Sequence, residues 1–363
     1  MKKKNSYKTN FTNFTNFTNF TNFTNFTNFT NSTMVDFLLD IMRFDSTSGK
    51  EAELAKYISE KYKPLDAGLE IQETEFKRLN VFFKWGEPKV IFNSHLDTVP
   101  PYIAPSREDD VIKGRGSCDA KGQVAYLFEA CKQLKKEGYN NFGLLMTCGE
   151  EDGSQGAMKA NESIKGCDLI IIGEPTENKL IKASKGNICL KFTFRGKSCH
   201  SGYPHLGDNA IERMFAFIKK LDEKDFGGDE ILGKTEYNIG MLRSDNAHNV
   251  VSELVTMKVF FRTTFESENK IIDYLNSIID EKTEMEVLFI HRPVNFHTFH
   301  TIDGFETGIV SYGTDAPSFS NIKNKILYGP GNILDAHTER EFIRISDMHK
   351  AVDDVKNIYK KIL

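Results

Sequence analysis

Apolar positions along this chain switch between two periods. Residues 34–62 carry them at helical spacing, broken at Ser46–Gly49, which predicts two amphipathic helices. Short apolar runs at 81–84 and 90–93, the second leading into His95, predict strands. Residues 124–136 return to helical period and stop near Gly138. The runs 142–147 and 169–172 are almost wholly apolar, as strands covered on both faces are. Alternation of this kind predicts an α/β fold, a mostly parallel sheet with helices on both faces.

From about Lys185 the order changes. A strand at 188–195 is followed by a helix at 209–221, strands at 237–242 and 250–263, a helix at 269–279 and a strand at 285–291. That order, β-α-β-β-α-β, is the ferredoxin-like α+β unit. Residues 184–291 are therefore expected to form an inserted domain, with 34–183 and 292–363 making the catalytic domain around them. The first 33 residues are different: Thr-Asn-Phe repeats from Thr9 through Phe29. A period of three suits neither helix nor strand, so residues 1–33 are expected to be disordered low-complexity sequence. Asn-Phe-Thr is formally a glycosylation acceptor, but no apolar signal-peptide core precedes it. Met34 is the expected natural start, and deleting residues 1–33 is expected to leave activity intact.

The length of 363 residues allows two domains with real cores. Net charge is −4, and no basic block follows the first four residues, which argues against a nucleic-acid partner. No apolar run approaches the roughly 18 residues of a membrane span. The six cysteines show no CxxC spacing, so free thiols in a reducing cytoplasm are expected.

The candidate chemistry lies in scattered segments reading NSHLDTVP, GRGSCDAKG, CGEEDGS, GEPTEN and DAHTERE. They supply His95, Asp97, Asp119, Glu150, Glu151, Glu174 and His337, several of them just after an apolar run. Open α/β sheets bind ligands at such strand ends. Imidazoles with several carboxylates suit a pair of divalent cations and a water-activating base. Asp97, two residues past His95, is expected to accept the proton of the second ring nitrogen. GRGSCDAKG lacks the spacing of a phosphate-binding loop.

Together these segments resemble the M20 family of dinuclear zinc aminoacylases and exopeptidases, over about Met34 to the C-terminus. The resemblance implies a zinc-exopeptidase-like fold. It implies one zinc on His95, Asp119 and Glu174, and a second on Asp119, Glu151 and His337, with Co2+ or Mn2+ as possible substitutes. Glu150 would be the general acid/base, Asp97 would orient His95, and Ala120 would enter through a cis peptide. SCHSGYPHLGDNA resembles the segment whose first histidine, here His200, enters a partner subunit's active site, so a homodimer through the inserted domain is implied. NVVSELVTMKVFFR resembles the family's Asn-Val-x-Pro segment ending in Arg and implies Asn249 and Arg262 as substrate binders. Ser252 and Phe260 depart from that pattern. Gly313 and Thr314 in SYGTDAPSF resemble the loop receiving the substrate's carboxylate or acyl end. Gly329 and Gly331 resemble a turn leading to His337. The expected substrate is a small N-acyl-amino acid, first of all Nα-acetylornithine. A succinyl-diaminopimelate desuccinylase, an acetyl-lysine deacetylase or a di- or carboxypeptidase on the same scaffold are the alternatives. A non-catalytic metal-binding scaffold is the reading from another class.

Overall fold

A computed structural model describes residues 33–296 and 302–362. The repeat at 1–33 lies outside these residues except for Thr33. Thr33 caps the first helix, Met34–Ile41: its hydroxyl accepts from the Asp36 N–H and the Asp36 carboxylate returns the bond to the Thr33 N–H. The second helix begins only at Ala52. The break is wider than the sequence suggests because residues 46–48 bond to the segment beyond His95. Ser46 Oγ donates to Leu96 O at 2.7 Å, and the Thr98 N–H donates to Ser46 O at 3.1 Å.

Asp40 ties these two helices together. Its carboxylate accepts from Tyr62 Oη at 2.6 Å and from Tyr57 Oη and Lys61 Nζ at 2.7 Å each. Burial alone would raise its pKa, but these donors outweigh burial and hold it below the usual value. The stabilisation is therefore full above about pH 4 and is lost as pH falls through the folded-state pKa. Asp40→Asn is expected to lose about 1.5–3 kcal/mol at pH 7. In denaturant titrations that difference should shrink on acidification; one that stays constant to pH 2 would contradict the assignment.

The main sheet has six strands, in the order Gly68–Glu73, Leu79–Trp85, Phe142–Thr147, Val90–His95, Leu169–Ile172, Asn324–Leu327. The last four run parallel, and Leu79–Trp85 is antiparallel to both of its neighbours. Adjacent side chains enter opposite cores, as strand geometry demands. Phe92, Leu144 and Ile171 join the core beneath the helices Met34–Ile41, Lys121–Lys136 and Ile345–Ile362. Ile91, Leu145 and Ile170 join the other, with Ala157 and Ala160 of the helix Gln155–Ser163. Burial on both faces explains the unbroken apolar runs.

A second sheet has the order Glu236–Arg243, Leu254–Thr263, Gly186–Arg195, Thr283–His291, all antiparallel. The helices Ala210–Asp222 and Glu268–Ile278 complete the ferredoxin-like unit, with its own core around Phe192, Phe194, Met214, Phe217, Phe261 and Leu275. The strand predicted at 250–263 starts at Leu254. Residues 250–252 bond instead to the 199–210 segment, through Val251 N–H to Cys199 O and Ala210 N–H to Ser252 O, each 2.9 Å. All six cysteines are free. Among the described residues no helix is long and apolar enough to cross a membrane.

Candidate metal centre

Each of the four parallel strands delivers candidate ligands beyond its C-terminal end. His95 ends the central strand and is 1% exposed. Glu150 and Glu151 follow Phe142–Thr147, Glu174 follows Leu169–Ile172, and His337 lies in the loop after Asn324–Leu327. Asp119 comes from the glycine-rich turn before Lys121–Lys136, and the Asp119–Ala120 peptide is cis. The turn packs so closely on that helix that a Cβ on Gly122 would sit 2.0 Å from Ser117 O, so only glycine fits.

Asp119 stands between the two histidines. Its Oδ1 is 3.1 Å from His95 Nε2 and its Oδ2 is 3.3 Å from His337 Nε2. His337 Nε2 is also 3.1 Å from Glu151 Oε1. Glu150 Oε2 and Glu174 Oε1 each approach His95 Nε2 to 4.0 Å. Donor atoms of His95, Asp119 and Glu151 all lie within 4.8 Å of one another.

The charges do not balance. Burial drives the carboxyls of Glu150 and Glu174 well above the usual range, and Glu151 upward as well. Asp119 stays low against its own burial because both histidines favour its anion. His337 is pushed up to about 10 by Asp119 and Glu151. Ionised together, the four carboxylates would outweigh the two imidazoles even with both rings protonated, and divalent cations would neutralise that excess. The nitrogen and oxygen donors fit zinc-type coordination.

Asp97 holds this centre differently from the expectation. Its main-chain carbonyl lies 2.9 Å from His95 Nδ1, whereas its carboxylate Oδ1 is 3.6 Å away. A carbonyl only accepts, so Nδ1 carries a proton there, and Nε2 is the ring nitrogen turned to Asp119. The carboxylate instead accepts from the Glu150 N–H at 3.0 Å, the Glu151 N–H at 3.3 Å and Ser48 Oγ at 2.7 Å. It fixes the turn bearing both glutamates. Arg78 lies behind it, 2.5 Å from Glu51 and 3.5 Å from Asp97.

The expected substrate residues separate into two groups. Arg262 Nη1 donates to Asn187 Oδ1 at 2.7 Å and the guanidinium packs over Phe260. Burial lowers its pKa, opposed by the charges of Glu150 and Glu151. Gly313 backs onto Asn187, where a Cβ would lie 2.1 Å from the amide nitrogen, and buried Thr314 accepts from the Ala316 N–H at 3.2 Å. His200 and Asn249 sit elsewhere, exposed and side by side: His200 bridges Val250, and the Ser201 N–H donates to Asn249 O at 3.0 Å. Among the described residues no hydrogen bond or ion pair joins either to the metal centre. The sequence reading misses Asn187, Glu51, Arg78 and Asp315. Asp315 accepts from Thr147 Oγ1 at 2.8 Å, and burial raises its pKa to about 6. An asparagine just ahead of the alternating strand at 188–195 was the available signal for Asn187.

Residues 91–361 match the family described as Peptidase family M20/M25/M40, and the chain belongs to it. It is a metal-dependent hydrolase acting on amide bonds. A peptidase M20 domain-containing protein of Schizosaccharomyces pombe is 33% identical over 330 residues, covering 88% of this chain and 82% of the relative. A probable carboxypeptidase of Talaromyces marneffei is 30% identical over 386 residues, covering 90% and 85%. The crystal structure of an M20 family metallo-carboxypeptidase from Sulfolobus solfataricus superposes with a TM-score of 0.73 at 17% identity, covering 92% of this chain and all of the other.

Proposed function

We propose that this enzyme cleaves a linear amide whose leaving amine bears a free carboxylate, as a carboxypeptidase of short peptides. The observation that carries the reading is Asp119, with one oxygen toward each histidine. His95, Asp119 and Glu174 would hold one zinc, and Asp119, Glu151 and His337 the other, with Co2+ or Mn2+ able to substitute. When bound, such a pair lowers the pKa of water and polarises a carbonyl. Glu150 takes the water's proton and returns it to the departing nitrogen. Arg262, held by Asn187, would take the substrate carboxylate, with Gly313 packed against the same Asn187 and Thr314 next to it.

Nα-acetylornithine belongs to the same chemical class, and the relatives named carboxypeptidases favour a peptide acyl part. A panel of dipeptides, N-acetyl amino acids and their C-terminal amides tests both. Free acids should be cleaved and amides should not, and the released fragment, amino acid or acetate, separates the two readings. Arg262→Ala is expected to lower kcat/KM for free acids by roughly 10–150-fold, the equivalent of about 1.5–3 kcal/mol for a charged hydrogen bond. Equal cleavage of acids and amides would contradict the role.

His200 and Asn249, exposed and without a described bond to the centre, are read as acting on a second copy's substrate, His200 as an oxyanion donor. Mixing inactive Glu150→Gln and His200→Ala chains should then restore activity through hybrid dimers. No recovery after verified subunit exchange would oppose it.

A further inference from the structure

Glu341, four residues beyond His337, is 1% exposed. Its Oε1 accepts from the N–H groups of Gly116 at 2.9 Å, Cys118 at 3.0 Å and Asp119 at 3.1 Å. No other group among the described residues accepts from them. Its Oε2 accepts from Arg115 Nη1 at 2.5 Å. Arg115, 2% exposed, also reaches Thr338 O and Pro101 O, each at 3.3 Å. The Gly114 N–H closes the cluster on the main-chain carbonyl of Glu341 at 3.0 Å.

One buried ion pair thus joins the segment after Asp97, the turn carrying Asp119 and the loop carrying His337. A bridging carboxylate works only if each oxygen keeps its own direction. A single acceptor that gathers three amides of one turn, those of Gly116, Cys118 and Asp119, sets the orientation of that turn, including the residue that bridges. We propose that Glu341 and Arg115 are a positioning pair that aims Asp119 at His95 and His337 and thereby sets metal affinity and turnover. The proposal rests on the dinuclear reading above. Neither residue touches substrate or cation, so their effect passes through Asp119 and His337.

The test compares wild type, Glu341→Gln and Glu341→Ala by zinc competition against a chromophoric chelator and by the visible spectrum of the cobalt-substituted enzyme. Circular dichroism reports folding. Outer partners of metal ligands typically contribute about 10–100-fold in metal affinity or activity, and a loss of that size is expected for Glu341→Ala. Glu341→Gln keeps the volume and one acceptor oxygen, so a smaller loss is expected. The cobalt band should shift in both variants, and kcat should fall while KM stays within about threefold, the pattern of a group acting on the transition state alone. A merely structural residue would lower thermal stability without moving the cobalt spectrum. Folded Glu341→Gln with wild-type zinc affinity and spectrum overturns the proposal, as does failure of both variants to fold in saturating zinc. A wild-type protein that binds no metal would overturn the dinuclear reading itself, a separate outcome.

Discussion

Glu150→Gln is expected to keep its metal and lose nearly all turnover. The substitution is close to isosteric and leaves the main-chain N–H of residue 150 on Asp97, so the turn that also presents Glu151 stays in place. What disappears is a carboxylate able to take a proton and give it back. General acid–base groups contribute about 10²–10⁴-fold, and the loss of kcat should fall in that range. KM should change little, because the lost interaction belongs to the transition state. Metal content by mass spectrometry must accompany the kinetics. A variant with full metal and more than about a tenth of wild-type kcat would remove Glu150 from the role.

Asp119→Asn should do more, because it strikes both cations at once. Each carboxylate oxygen of Asp119 faces a different histidine, and a neutral amide offers one acceptor oxygen and an NH2 donor group where two anionic oxygens stood. Both metals should bind more weakly, and purified protein should hold less than the wild-type complement. A lost Lewis-acid contribution of several kcal/mol amounts to about 10³-fold or more in rate. Excess zinc should rescue only part of the activity, since weakened occupancy and lost bridging add together. Full occupancy with near-normal kcat would show that no carboxylate needs to stand between the histidines.

The parallel strands were legible because burial on both faces writes an unbroken apolar run, as at Phe142–Thr147 and Leu169–Ile172. Asn324–Leu327 was not: four residues with two polar at one edge of the sheet give no periodic signal. The same holds for the antiparallel edge strand Gly68–Glu73, which exposes most of its residues. The segments bearing His95, Asp119, Glu150, Glu151, Glu174 and His337 could be picked out because metal-binding residue types recur beyond apolar runs. Their supports could not. Glu51, Arg78, Arg115 and Glu341 read as ordinary surface charges until the fold buries each against a partner distant in sequence. Asp97 shows the limit of spacing arguments: its nearness to His95 was evident, but only the local backbone decides that the carbonyl meets the ring and the carboxylate turns to Glu150 and Glu151.

The most direct test is an anomalous difference map from crystals of the full chain grown with zinc, recorded at the zinc edge. Two peaks are expected, on opposite sides of the Asp119 carboxylate, one beside His95 Nε2 and the other beside His337 Nε2. A single peak, or density only at surface histidines, would contradict a shared two-cation centre.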